Sequence, residues 1–296
     1  MKTLISIVGP TGIGKTRLAI ELAIGLGTEI ISCDSRQFFQ EMRIGTAVPE
    51  PEELAAVPHH FIQHKSIHEV YSVGDFEREA SALLDGLFLQ YDTVIMVGGS
   101  GLYADALTRG LDEFPDVPEA IRRQLKAELD TYGIVPLQEE LRLADPAQFE
   151  RMDTCNPQRL TRALEVCRAS GKPYSSFLKK NTISRPYEVL TVGLTAEREI
   201  VYHRIGQRVE KMLASGLLIE ARQLMPFRKL NALQTVGYRE LFSFFDRQCS
   251  LNEAVENIKT NTRRFAKRQY TWFNRNPDIL WYDYQTPSGE ILKNLK

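Results

Sequence analysis

The chain is predicted to be α/β: a parallel sheet flanked by helices on both faces and interrupted by an all-helical insertion. Three observations predict this. The first hundred residues alternate short apolar runs with amphipathic ones. The first run, "TLISIV", passes through "GPTGIGKT" into a helical stretch. Strand-like residues then vanish after Leu111 and return in "YEVLTVGLT". Short unbroken apolar strands separated by helices are the pattern of a parallel sheet buried on both faces.

Taken in order, "TLISIVG" reads as a buried strand, "KTRLAIELAIGLG" as a helix with Leu18, Leu22 and Leu26 on one face, and "TEIISCDS" as a second strand. "VGDFEREASALLDGLFLQY" sets Phe76, Ala80, Leu83, Leu84 and Leu87 at helical spacing, and "DTVIMVGG" is a third strand. Helical periods and turns fill the next segment, so the expected organisation is a catalytic core of residues 1–111 and 185–296 with a helical insertion at 112–184. The remainder is helical, up to a long helix near Asn252 to Asn274 and a last short strand, "ILWYDY".

The stretch "GPTGIGKT" matches GxxxxGK[ST] between a strand and a helix, which makes the sheet P-loop NTPase-like. In a loop built from Gly9, Pro10, Thr11, Gly12, Ile13, Gly14, Lys15 and Thr16, backbone amides and a helix N-terminus point at an anion. Lys15 adds a compact positive charge and the Thr16 hydroxyl suits Mg²⁺, so the bound species is a diphosphate or triphosphate.

A nucleotide hydrolase usually carries an acid at the end of a further apolar strand. Here "TVIMVGGSGLY" runs instead into Gly98, Gly99 and Ser100, and the acid stands as Asp34 in "CDSRQFF". Ligands in such sheets lie beyond the carboxyl ends of the strands, where these segments are expected to meet the phosphate loop. Asp34 also suits a turn and Ser100 a helix N-cap, and both roles can be filled together.

Composition narrows the remaining classes. With 296 residues, 43% of them hydrophobic and 25% charged, the chain is of ordinary globular make-up. A net charge of -1 gives no overall attraction to nucleic acid or an anionic membrane, so any basic surface must be local. Without an apolar span or a leader-like segment, a cytoplasmic location is expected. Cys33, Cys155, Cys167 and Cys249 form no CxxC pair and are expected to be reduced, small core residues. His60, His64 and His68 are spaced by four, but the segment opens on Pro58 and mixes Phe, Ile and Val with polar residues. Strand or loop is expected there, with no shared helical face for a metal.

In order, "GPTGIGKT", "DSRQFF", "IGTAVP", "PHHF", "YSVGDF", "VGGSGLY", "NPQRLTRALEV", "TVGYREL" and "RRFAKRQYTWFNR" make nearly the whole chain resemble the tRNA dimethylallyltransferases, or tRNA isopentenyltransferases, in their compact bacterial form. The resemblance implies that the loop holds the diphosphate of dimethylallyl diphosphate. It implies Mg²⁺-dependent transfer of the dimethylallyl group to the exocyclic N6 amine of the adenosine 3′-adjacent to the anticodon (position 37), with Asp34 as base. Lys15, Arg208, the loop amides and Mg²⁺ on Thr16 would stabilise the departing diphosphate. Ser100 stands where the family usually carries a threonine that faces the target base.

The resemblance also implies an RNA-contact set of Asp34, Ser35, Arg36, Gln37, Ser100, Arg122, Gln158, Arg159, Leu160, Thr161 and Arg162. From the residues alone, Asn156 is a good N-cap and Pro157 a favoured first helical residue, which projects Gln158, Arg159 and Arg162 from the start of a helix. Arg208 and the "NPQRLTR" arginines, taken alone, also suit exposed helical charge. Residues 257 to 277 contain no acid but six cations, Lys259, Arg263, Arg264, Lys267, Arg268 and Arg275, interleaved with Phe265, Tyr270, Trp272 and Phe273. This reads as a track for a phosphate backbone, with most of the aromatics expected in the core.

The expected partners are the tRNA anticodon stem-loop and dimethylallyl diphosphate, with no membrane and no obligate protein partner for a monomer. The chain departs from the family at Phe39 (commonly Tyr), Gln63 (commonly Asp) and Arg239 (commonly Lys), and has no C-terminal zinc finger. The rival reading is a small-molecule or nucleotide kinase, which also joins a phosphate loop to an acid after the second strand. A non-catalytic RNA-binding regulator is a third, but it leaves Asp34 without a role.

Overall fold

The computed structural model describes residues 1–178 and 185–295. The chain divides into two compact units, Met1–Arg109 with Ser184–Lys296, and Gly110–Ile183.

The first unit opens with β1 (Thr3–Val8), α1 (Lys15–Leu26), β2 (Ile30–Ser32), α2 (Pro51–Ala56), β3 (His59–His60), α3 (Val73–Gln90), β4 (Thr93–Val97) and α4 (Gly101–Arg109). The second unit holds α5 (Glu119–Tyr132), α6 (Val135–Ala144), α7 (Pro146–Arg151) and α8 (Pro157–Ser170). The first unit resumes with β5 (Glu188–Thr195), α9 (Arg198–Ala214), α10 (Leu217–Leu224), α11 (Tyr238–Phe245), α12 (Leu251–Phe273), β6 (Leu280–Asp283) and α13 (Ser288–Asn294).

The strands form one parallel sheet in the order β3-β2-β4-β1-β5-β6. Period-2 alternation along the strands divides the sheet into two buried faces. Leu4, Val8, Val94 and Met96 point to one face, under Phe76, Leu84, Leu107, Val209, Leu241 and Ile258. Ile5, Ile7, Ile95 and Val97 point to the other, under Leu18, Leu22, Ile205 and Ile291. Helices therefore cover both faces, and the loops after β1, β2 and β4 are left free at the carboxyl end of the sheet.

The helices of the second unit pack on each other around Leu125, Leu137, Leu141, Leu160 and Leu164. α8 starts as its sequence suggests. Asn156 accepts from the N–H groups of Gln158 and Arg159, Pro157 takes the first turn, and Gly171 closes the helix at φ 67°.

As expected, the histidine segment is strand and loop: it supplies a two-residue edge strand, β3, paired with β2. His60 bonds Glu29 at 2.6 Å, while His64 packs edge-on against Phe38, Phe61 and Tyr71. One detail differs from expectation, in that the cysteines are not all core: Cys33 and Cys167 are buried, Cys249 is half-buried and Cys155 is exposed.

Candidate active site

The phosphate loop owes its shape to the glycines. Gly14 caps α1 at φ 108°, a conformation that side chains resist, and Gly9 stands at φ 138° where a Cβ would meet Leu194 O at 2.6 Å. The first turn of α1 leaves N–H groups without helical partners at the loop. Lys15 Nζ folds back to donate to Gly9 O at 3.0 Å and Pro10 O at 2.9 Å. Burial pushes the Lys15 ammonium down to about 8; Asp34 works against the shift and Arg208 adds to it. Ile13 is fully buried in the core, so it offers the loop only its backbone.

A cavity of about 450 Å³ opens beside the loop, lined among others by Thr11, Asp34, Ser100, Tyr103, Arg208 and Gln269. α9 delivers Arg208, whose guanidinium donates to Thr11 Oγ1 at 3.0 Å. Burial works against its charge and Asp34 supports it. Asp34 follows β2 and accepts the Arg36 N–H on Oδ1 at 3.1 Å. It is thus a turn acid and a cavity residue together.

Ser100, after β4, takes the Ser35 N–H at 3.1 Å, and its hydroxyl pairs with that of Ser35 at 3.0 Å. The Ser100 hydroxyl therefore binds the β2 loop, while its carbonyl accepts from the Ala104 N–H at 3.0 Å at the start of α4. Beside Asp34, Cys33 is buried, which pushes its thiol upward and makes it a core residue rather than a nucleophile.

Several residues assigned to RNA contact are placed otherwise. Gln37 donates to Thr46 O and Ala47 O at 3.2 and 2.8 Å, so its amide ties down a loop. Leu160 is fully buried in the core of the second unit and has no side chain to offer. The Thr161 hydroxyl bonds back to Pro157 O at 2.8 Å. Arg36 lines the cavity, but its guanidinium is tied to Asn231 O and Ala232 O.

In the second unit, Gln158 and Arg159 are exposed. Arg162 pairs with Glu165 at 3.1 Å and lies over the Phe114 ring, and Arg122 approaches the same carboxylate at 3.9 Å.

On α12, two of the four aromatics are exposed, contrary to expectation. Phe265 and Tyr270 are 37% and 39% exposed, while Phe273 is buried and Trp272 donates to Asp105 at 2.9 Å. Lys259 is neutralised by Glu210 and Glu256, which removes one cation from the track. At the family departures, Phe39 is buried, and Gln63 donates to Gln40 O at 2.8 Å, a bond that a carboxylate cannot make.

The sequence reading missed Gln269, Tyr103 and Arg239 as cavity residues. For Gln269 the signal was present. It falls in the buried stripe of α12 with Ala254, Ile258, Ala266 and Phe273, where a polar residue needs a partner.

Residues 37–276 match the family model for IPP transferase. The tRNA dimethylallyltransferase of Flavobacterium psychrophilum is 54% identical over 99% of this chain and 97% of its own length. That of Christiangramia forsetii is 54% identical over 97% and 95%. Among solved structures, the tRNA isopentenylpyrophosphate transferase of Bacillus halodurans is 34% identical with a TM-score of 0.73, covering 100% of this chain and 94% of that one. A eukaryotic dimethylallyltransferase acting on tRNA is 26% identical with a TM-score of 0.84, covering 97% and 75%.

Proposed function

This chain belongs to the IPP transferase family, and from that premise we propose that it transfers a dimethylallyl group from dimethylallyl diphosphate to the N6 amine of the adenosine 3′-adjacent to the anticodon of tRNA. The observation that carries this reading is the meeting of the phosphate loop, Asp34, Ser100 and Arg208 on one cavity, with no carboxylate after β4. The family match favours the transferase over the kinase alternative.

In this reading the N6 nitrogen attacks the allylic carbon that bears the diphosphate oxygen. The carbon–nitrogen bond forms, the carbon–oxygen bond breaks with its electron pair leaving on diphosphate, and one N6 proton passes to Asp34. Adenine N6 is a weak nucleophile because its lone pair is delocalised into the ring, so a base at hand lowers the barrier. The turn fixes Asp34 through Oδ1, which leaves Oδ2 for the proton. Ser100, held by Ser35, would bond the target base, which must leave its stack to enter the cavity.

The departing diphosphate gains negative charge, and Lys15, Arg208 and the loop amides are the donors that would meet it. The donor set also suits Mg²⁺. Thr16 sits at the start of α1, and among the described residues no group of three or more His, Cys, Asp or Glu side chains could hold a metal by itself. A hard cation held mainly by diphosphate oxygens and water needs only such a hydroxyl. When bound, Mg²⁺ would neutralise diphosphate charge.

Arg264, Lys267 and Arg268 of α12 would meet tRNA phosphates, and in the second unit Gln158, Arg159 and Arg162 offer a basic helix start of the same kind. No helix among the described residues is long and apolar enough to cross a membrane.

The test is incubation with Mg²⁺, dimethylallyl diphosphate and unmodified tRNA, followed by digestion and mass spectrometry. A donor-dependent adenosine carrying one added dimethylallyl group supports the reading. ATP consumption on small-molecule acceptors, without that product, overturns it.

A further inference from the structure

Gln269 is 5% exposed and lies on α12, far along the chain from the phosphate loop, yet its carboxamide touches that loop directly. Oε1 accepts the Thr11 N–H at 2.8 Å, and Nε2 donates to Gly99 O at 2.8 Å. One partner is a donor and the other an acceptor, so the orientation of the amide is fixed by its neighbours. A carboxylate could make the first bond and not the second; a leucine could make neither. The approach is close enough to require a glycine: a Cβ on Gly99 would fall 2.2 Å from Nε2 and 3.7 Å from Lys15 Nζ. Two residues on, a Cβ on Gly101 would fall 2.3 Å from the Trp272 ring, so α12 is pressed against the end of β4 along this whole turn.

Thr11 is thereby held twice, its peptide by Gln269 and its hydroxyl by Arg208 at 3.0 Å. Gly99 immediately precedes Ser100, the hydroxyl paired with Ser35.

We propose that Gln269 is a positioning residue for the transfer reaction: it fixes the Thr11 peptide against Gly99, and so sets the phosphate loop at a defined separation from the Ser100 side of the cavity. This deepens the function proposed above and rests on it. Both ends of its carboxamide are engaged by Thr11 and Gly99, so it acts through the loop that would hold the leaving group. Lys267 is exposed and Arg268 reaches the cavity rim, so the helix that carries these cations also anchors the donor loop.

The full-length chain and its Q269L and Q269E variants test this. In wild type without ligand, the Thr11 amide should be protected from hydrogen exchange; rapid exchange there overturns the proposal whatever the variants do. Q269L should weaken inorganic diphosphate binding and raise the KM for dimethylallyl diphosphate by about 10-fold, as expected for lost hydrogen bonds at a buried site. Q269E should cost more, about 100-fold, because its charge stands beside Lys15 and the anion. The KM for tRNA should stay within about threefold in both, a split that general destabilisation would not produce.

Wild-type diphosphate affinity in either folded variant, or an equal rise in both KM values, overturns the proposal. Diphosphate binding that is weakened in both variants, with no prenyl transfer by wild type, would remove the proposed function and leave the anchoring role standing. Transfer by wild type that is unchanged in both variants would do the reverse.

Discussion

Lys15 in the first unit and Arg168 in the second are both cations gripped by several oxygens, in opposite electrostatic settings. Lys15 donates to two neutral carbonyls and is pushed down to about 8 by burial. Arg168 donates to the carboxylates of Glu128 and Glu140 at 2.6 Å each, and those bonds push its pKa up. One is a charge kept short of counter-charge, which an incoming anion would supply. The other is already neutralised and serves the packing of helices α5, α6 and α8. Arg208 sides with Lys15, while Arg162 stands between the two, paired to Glu165 but with a side chain 41% exposed. Lys15 and Arg208 thus differ from Arg168 in having no carboxylate bonded to them, with Asp34 acting only through its charge.

The contrast can be broken most sharply at Asp34, the acid whose charge supports both Lys15 and Arg208. Asp34→Asn should lower turnover by roughly 10² to 10⁴ if it is the general base, while diphosphate affinity measured by calorimetry changes far less. Unaltered turnover would remove Asp34 from the mechanism.

The pH dependence of donor binding comes next. Burial lowers Lys15 from 10.5 to about 8 in the free protein, and a bound diphosphate would keep it protonated. Affinity should be flat below pH 8 and fall by up to about tenfold per unit above it, with proton uptake on binding seen by titration in buffers of differing ionisation heat. By the same linkage, the unfolded chain keeps this proton longer, so folding stability from this group rises between pH 8 and 10.5. Donor affinity unchanged up to pH 10 would place Lys15 away from the anion.

Arg168→Ala probes the other side. With the arginine only 21% exposed and two carboxylates left facing each other, the loss should be about 1–2 kcal/mol of stability, read as a lower melting temperature, with donor binding intact. A loss of diphosphate affinity would erase the distinction drawn between the two cations.

Arg162→Ala should have the smallest effect. Its partner Glu165 already balances it, so tRNA binding should weaken about three- to tenfold with a shallower salt dependence, and donor binding should not change. An effect on the donor equal to that on tRNA would refute its assignment to RNA contact.

Much of this arrangement is legible in the linear chain. "GPTGIGKT" announces its own loop because three glycines, a lysine and a threonine at fixed spacing carry the conformation and the charge locally. Asn156 and Pro157 announce the start of α8 in the same way. Asp34 and Ser100 were readable as candidates because parallel strands bring their carboxyl ends together whatever the intervening sequence. For Gln37, Leu160 and Thr161 the motif names only a segment, and the fold turns their side chains to a loop carbonyl, the core and their own backbone.

By itself, then, the sequence determined the parallel sheet, the phosphate loop, the helical insertion and the family, all written in short-range periodicity and ordered motifs. Tertiary structure alone decided that Gln269 reaches Thr11 across 258 positions, that Ser100 pairs with Ser35, and which arginines meet a carboxylate. Those choices depend on distances between residues remote in the chain. Local propensity carries no information about them, and burial turns each into a requirement for a partner.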